Sequence, residues 1–239
     1  MKCKVMGIVN VTPDSFSDGG KFFTTEEAVR RALNLLAEGA EIIDLGGEST
    51  RPGAIPVGWE EEWSRIEPVV RELCRDGGVA SAVVSVDTYH PETAKRALDA
   101  GVAMINCVYP EPIVEMARYC TAVGASLVAP ATCLPVLESF GPGLYIDPMI
   151  GFGTTREEDV ALLRSVPELA KRAPVLVGAS RKRIVKKLTG EKVTGKNLGG
   201  NVGIAVWCAM NGASIVRVHD VKETVQAMKV VEALSEGLP

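Results

Sequence analysis

Short apolar runs alternate along this chain with longer segments whose hydrophobic positions recur every three to four residues. The runs are Lys4–Val11, Glu41–Leu45, Ala82–Asp87, Ala103–Val108, Ser126–Pro130, Leu144–Asp147, Pro174–Gly178 and Ser214–Val218. They are rich in Val and Ile and mostly apolar on both faces, which predicts parallel strands covered on each side. Helical patterns fill the gaps. "TTEEAVRRALNLLAEGA" opens with Thr24 and Glu27 at capping-box spacing, and its Gly39 sits where a helix would stop. "GWEEEWSRIEPVVRELCRDGG" follows, with Pro68 placed to kink it, and "HPETAKRALDAG" has Pro91 in a first turn. "EPIVEMARYCTAVG", "REEDVALLRSVPELAKR", "NLGGNVGIAVWCAMNGA" and "VKETVQAMKVVEALSEG" continue the rhythm. One slot is thin: between Ala131 and Leu144 stands only "ATCLPVLESFGPG", room for a turn or two of helix. "LTGEKVTGK", Leu188–Lys196, reads as an exposed loop.

This alternation defines an α/β chain. Eight strand–helix units predict a (β/α)8 TIM barrel, with the helix after strand 5 shortened or missing. An open doubly wound sheet has the same alternation, and periodicity alone leaves both open. The length of 239 residues suits one barrel, and no linker or composition shift marks a second domain, so residues 1–239 are expected to form a single domain. A net charge of −4 argues against non-specific nucleic-acid binding. Six cysteines without a C-x-x-C pair, and only two histidines, argue against zinc and fit a reducing cytoplasm. No stretch approaches the roughly 20 apolar residues of a membrane span, and "MKCKVMGIVNV" has no signal-peptide pattern.

In a parallel barrel the site lies at the carboxyl ends of the strands. Those ends carry Asn10, Asp44, Asp87, Asn106, Thr132 and Asp147, then Ser180, Arg181 and Lys182, then Arg217 and His219. Acceptors and amides thus gather at the middle strands and cations at strands 7 and 8. Buried acids and amides need partners, and a flat heterocycle with several N–H groups would supply them. "HDVKE", with Asp220 and Glu223 in capping spacing, predicts a helix N-terminus beside the cations, where an anion is favoured. Any one strand-end Asp is as readily a helix cap. His90, before Pro91, reads as a cap or a surface residue. No Ser–His–Asp order or paired-glutamate pattern is evident.

"GIVNVTPDSFSDGG" and "IIDLGGESTRPGA" resemble the two signature segments of the dihydropteroate synthase family. "VSVDT", "AMIN", "IDPMIGFG", "VLVGASRK" and "VRVHDVKETV" resemble further segments of that family, in its order. The resemblance implies a TIM barrel and a transferase of folate biosynthesis. Such an enzyme joins 4-aminobenzoate to 6-hydroxymethyl-7,8-dihydropterin diphosphate and releases pyrophosphate. It implies that Asp87, Asn106, Asp147, Lys182 and Arg217 hold the pterin. It implies that Asn10, Thr50, Arg217 and His219 bind the diphosphate, with Asn10 a ligand of magnesium (Mg2+). Arg51, Pro52, Phe152 and Ser180 would shape the aminobenzoate site. Thr12, Pro13, Asp14, Ser15, Phe16, Ser17 and Asp18 would form a flexible lid. A homodimer is implied in the same way.

The chain departs from that family in its middle. Cys107 stands where the family has Asp after the strand-4 Asn, and "APATCLP" lacks the family's Met-His-Met type segment. Met149 and Thr154 replace the Gly and Lys of "DPGIGFGK". Two other readings share the barrel: a pterin-dependent methyltransferase serving a corrinoid protein, and a pterin-binding paralogue that is non-catalytic or uses another arylamine. The methyltransferase has no use for a diphosphate, so "TPDSFSDGG", "STRPG" and "RVHDV" count against it.

Overall fold

The computed structural model of the protein describes residues 3–12, 24–49, 55–75, 82–193 and 195–236. Within these, eight strands close into a barrel in chain order: β1 (Lys4–Asn10), β2 (Ile42–Gly46), β3 (Val83–Asp87), β4 (Met104–Asn106), β5 (Ser126–Pro130), β6 (Leu144–Asp147), β7 (Val175–Val177) and β8 (Ala213–Val218). Every neighbouring pair is parallel, and β8 pairs back onto β1. The helices are α1 (Thr25–Ala37), α2 (Trp59–Cys74), α3 (Pro91–Asp99), α4 (Ile113–Val123), α5 (Arg156–Arg164), α6 (Val166–Ala170), α7 (Arg183–Thr189), α8 (Leu198–Met210) and α9 (Val221–Glu236). The open doubly wound sheet is thereby excluded.

The period of two along each strand divides the interior from the helix-facing surface. Val5, Val9, Ile43, Leu45, Val84, Val86, Ile105, Leu127 and Ile146 join the helices in one large core. Met6, Ile42, Met104, Val128, Leu176 and Ile215 form a second cluster, with Val83 and Tyr145 against it. Register ties this second set together: Met6 pairs with Ile42, Ile42 with Val83, and Val128 with Tyr145. Two residues further along the same faces come Asp44, Ser85, Asn106, Asp147 and Arg217. The barrel interior is therefore an apolar floor topped by a polar layer.

Three local features depart from a plain alternation of one strand and one helix. After β5 only a 3-10 turn, Ala131–Val136, stands in place of a helix, as expected; Pro135 lies within it, and Gly141 and Gly143 adopt positive φ before β6 begins. The segment expected as one helix after β6 splits into α5 and α6, because Pro167 cannot donate to the preceding turn. Helix α7 was not apparent in the sequence: it spans seven residues and buries only Ile184 and Val185, too short to display a period. Helix α2 runs on through Pro68. Connection β6–β7 is the thinnest ladder, with a single register pair, Ile146 with Val175.

Candidate active site

The polar layer at the carboxyl end of the barrel is one connected network. Asp44 on β2 is fully buried. Its Oδ1 accepts from Ser85 Oγ at 2.6 Å, and its Oδ2 accepts from Asn106 Nδ2 at 3.1 Å and from Arg217 Nε at 2.5 Å. A terminal nitrogen of Arg217 donates to Asp87 Oδ2 at 2.6 Å. Asp87 and Asn106 are register partners on adjacent strands. Asp87 Oδ1 and Asn106 Oδ1 are buried acceptors without a hydrogen-bond partner. Such atoms are rare in folded proteins and mark a place where a donor is wanted.

Electrostatics follow from this burial. Burial pushes the Asp87 carboxyl up to about 7, with Arg217 pulling it back and Asp44 adding to the rise. Asp147 is likewise raised by burial, against Lys182 and the Met149 N–H. Burial pushes the Lys182 ammonium down to about 8, against the pull of Asp147. Burial also works against the Arg217 charge, but Asp44 and Asp87 hold it above its ordinary value. Perturbed groups of both signs in one concavity are a signature of functional sites.

The β6–α5 loop is held at three of its backbone groups. Met149 N–H donates to Asp147 Oδ1 at 2.7 Å. Lys182 Nζ donates to the Ile150 carbonyl at 2.6 Å and lies 4.2 Å above the Phe152 ring. Gly151 N–H donates to Asp159 Oδ1 at 2.7 Å, and Thr154 Oγ1 donates to the same oxygen at 2.5 Å. Thr154, in place of the family's Lys, is thus a tether for this loop. Met149 has φ 69°, so the family's glycine there answers a left-handed backbone, and this chain carries a strained side chain instead. Gly151 has φ 79°, and a Cβ on it would meet Lys182 Cδ at 3.0 Å.

Across the mouth, Ser180 Oγ lies 3.1 Å from His219 Nδ1 and accepts from the His219 backbone N–H at 3.3 Å. Arg181, at φ 59°, donates its backbone N–H to Asn201 and its guanidinium to Asp220 at 2.6 Å. Helix α9 starts at Val221 beside them. The Asp220 side chain is spent on Arg181 and Asn201, while its carbonyl accepts from Thr224. Asn10 ends β1 opposite Gly46, and its Oδ1 would lie 3.6 Å from a Cβ placed there.

The structure therefore brings Asp87, Asn106, Asp147, Lys182 and Arg217 around one mouth, with Phe152 against Lys182. Ser180 and His219 sit together on the adjoining rim, and Asn10 ends the first strand. Thr12 is buried just beyond β1. Pro13, Asp14, Ser15, Phe16, Ser17 and Asp18, and also Thr50, Arg51 and Pro52, lie outside the described residues. Asp87 and Asp147 turn into the barrel and do not cap helices. His90 holds the N-cap position of α3 without a side-chain cap bond; its Nε2 lies 3.0 Å from Glu48, which also accepts from Tyr89. Sequence reasoning gave Asp44 no role. Its signal was present, an acid at a strand end, but its partners lie far along the chain at Ser85, Asn106 and Arg217.

A barrel whose mouth sets orphaned acceptors beside buried cations is a receptacle for a flat, N–H-rich ring that carries an anion. The model of the family described as "Pterin binding enzyme" matches residues 6–137 and 140–219. The dihydropteroate synthase of Neisseria meningitidis serogroup B is 38% identical over 278 residues, spanning 99% of this chain and 94% of the relative. That of Escherichia coli K12 is 37% identical over 96% of this chain and 90% of its own length. Among solved structures, Xanthomonas albilineans dihydropteroate synthase with 4-aminobenzoic acid superposes with a TM-score of 0.90 at 38% identity, covering 100% of this chain and 94% of the other. The same enzyme in complex with 7,8-dihydropteroate gives 0.87 at 36% identity, with 100% and 95% coverage. The chain belongs to the dihydropteroate synthase family. The Neisseria alignment is longer than the 239 residues of this chain, and the family match breaks at residues 138–139, in the connection where the helix after β5 is missing.

Proposed function

We propose that this chain, as one barrel domain over residues 1–239, is a transferase that condenses 6-hydroxymethyl-7,8-dihydropterin diphosphate with 4-aminobenzoate to dihydropteroate and pyrophosphate. The observation that carries this reading is the pair of buried, unpartnered oxygens Asp87 Oδ1 and Asn106 Oδ1. They stand side by side and fit the ring N–H and exocyclic amine of a pterin. Asp147 accepts further along the ring edge, and Lys182 donates to a ring acceptor. Arg217, Asn10, Thr50 and His219 hold the diphosphate. Arg51, Pro52, Phe152 and Ser180 form the aminobenzoate site.

The chemistry is positional. The carbon–oxygen bond between the pterin methylene and the diphosphate breaks, the amine nitrogen bonds to that carbon, and the amine's proton leaves to solvent. A neutral arylamine needs no strong base. The buried carboxylates stabilise the positive charge that develops on the pterin, and the rim cations stabilise the departing diphosphate. The residue-12-to-18 segment would exclude water from the cation as a lid. Among the described residues no group of three His, Cys, Asp or Glu could hold a metal. Asn10 would hold magnesium by its amide oxygen, an oxygen ligand of the kind this hard cation takes, with the substrate phosphates completing the shell. Magnesium bound there would supply Lewis-acid stabilisation of the diphosphate.

With magnesium, pterin diphosphate and 4-aminobenzoate, the purified protein is expected to release pyrophosphate, and Lys182→Ala to abolish the release. No release above the control without acceptor would sink this reading. Pterin binding without turnover would favour the paralogue, and methyl transfer from a methylated tetrahydropterin to cobalamin the methyltransferase. A cytoplasmic setting is supported by six cysteines that are all free. No helix among the described residues is long and apolar enough to cross a membrane. A homodimer is supported by the apolar face of α8, where Trp207 and Met210 are exposed. Sedimentation at the 25.4 kDa of one chain would reject the dimer.

A further inference from the structure

Asp44 has no assigned part in the reading above, yet it is the hub of the barrel mouth. We propose that Asp44 is a positioning residue: it imposes the amide orientation of Asn106, and so keeps the pterin acceptors open. This rests on the pterin reading of the same site.

A carboxylate beside a guanidinium only accepts hydrogen bonds. Asp44 Oδ2, already taking Arg217 Nε, therefore selects the Nδ2 end of Asn106 at 3.1 Å. The amide oxygen must then face away, and it is the atom found buried without a partner. Asp87, the register partner of Asn106, presents a second unpartnered oxygen beside it. Adjacent strands lie about 4.8 Å apart. If Asn106 turned over, its NH2 could donate to Asp87 Oδ1. The two residues would satisfy each other and offer the pterin neither acceptor. Asp44 prevents that internal closure. Ser85 Oγ, 2.6 Å from Asp44 Oδ1, fixes the carboxylate plane from the other side. Asp44 is completely shielded, so it acts through its neighbours and does not touch the substrate.

The experiment is a double-mutant cycle read by calorimetric titration with 6-hydroxymethyl-7,8-dihydropterin diphosphate in the absence of acceptor. Asp44→Ala and Asn106→Ala are each expected to weaken binding about tenfold, the cost of one lost hydrogen bond. The double variant should be no weaker than Asn106→Ala alone, because Asp44 works through that amide. A merely structural role would instead multiply the two factors, and that result would overturn the proposal. Asp44→Asn is the conservative variant. It keeps an acceptor for Asn106 Nδ2 while Ser85 turns to accept, so binding within about threefold of wild type is expected. Should Asp44→Ala fail to fold, Asp44→Asn decides alone: a loss as large as that of Asn106→Ala overturns the proposal. No binding by the wild type would remove the pterin reading and this proposal together. Wild-type binding with an unchanged Asp44→Ala would remove this proposal alone.

Discussion

Asp87→Asn separates the cost of keeping a carboxylate in the barrel mouth from the use made of it. Burial lifts the Asp87 carboxyl from 3.8 to about 7 despite Arg217. At ~1.4 kcal/mol per pH unit, ionising it inside the barrel costs on the order of 4 kcal/mol more than in the unfolded chain. Between pH 4 and 7 the folded chain keeps a proton that the unfolded chain has released, so stability falls as pH rises through that window. The amide introduced by Asp87→Asn is neutral throughout and abolishes this slope. Below pH 7 Asp87 is itself neutral, so Arg217 meets an uncharged acceptor at this position in both proteins, and the offset between them there is about 1 kcal/mol or less. Arg217 retains Asp44. Denaturant unfolding of both proteins from pH 4.5 to 8 reads offset and slope apart. The stability difference should move toward the variant by about 3 kcal/mol across that range. Parallel curves would refute the reasoning, because they would mean that Arg217 or water neutralises the cost of burial.

The same groups set a pH–rate profile. For the free enzyme, kcat/KM should fall below about pH 7 as Asp87 takes up a proton and above about pH 8 as Lys182 loses one; Lys182→Arg should move the alkaline limb upward, and an unmoved limb would assign it elsewhere. Gly151→Ala places a Cβ 3.0 Å from Lys182 Cδ at φ 79°, so kcat/KM should drop at least about tenfold with circular dichroism unchanged; full activity would show that Lys182 has other room. Met149→Gly relieves a left-handed side chain worth about 1–2 kcal/mol, of which the freer unfolded glycine returns part. A rise in the denaturation midpoint equivalent to about 0.5–1 kcal/mol is expected, and a fall would mean that Met149 packs better than its backbone suffers.

Strand existence and order were legible in the sequence because each strand is a Val- and Ile-rich run too short to be anything else. The barrel's closure was not, since one chain's alternation cannot say whether the last strand returns to the first. The family resemblance supplied it, and the β1–β8 ladder now carries it. Asp87, Asn106, Asp147 and Arg217 were legible as polar ends of apolar runs. Asp44 ends such a run as well, but its importance lies in contacts with residues 41, 62 and 173 positions away. Glu48, with Tyr89 and His90, was hidden for the same reason. The glycine-to-Met149 exchange is legible as a change of residue, but only the backbone angle shows that it is a change of strain.

A closed barrel cannot come apart at one edge, so any opening must begin where a ladder is weakest. Between β6 and β7 one register pair joins the strands, and the stave before them has lost its outer helix. Sub-global opening should therefore start there, and the amides of Ile146 and Val175 should exchange with solvent sooner than those of β1 and β2. Asp147 and Lys182 belong to the two sides of this seam, with the Ile150 carbonyl stitched across it to Lys182. A pterin that engages both side chains would act as a clasp. Substrate would then complete the barrel mechanically, and the slowing of exchange along this seam would report occupancy without any turnover.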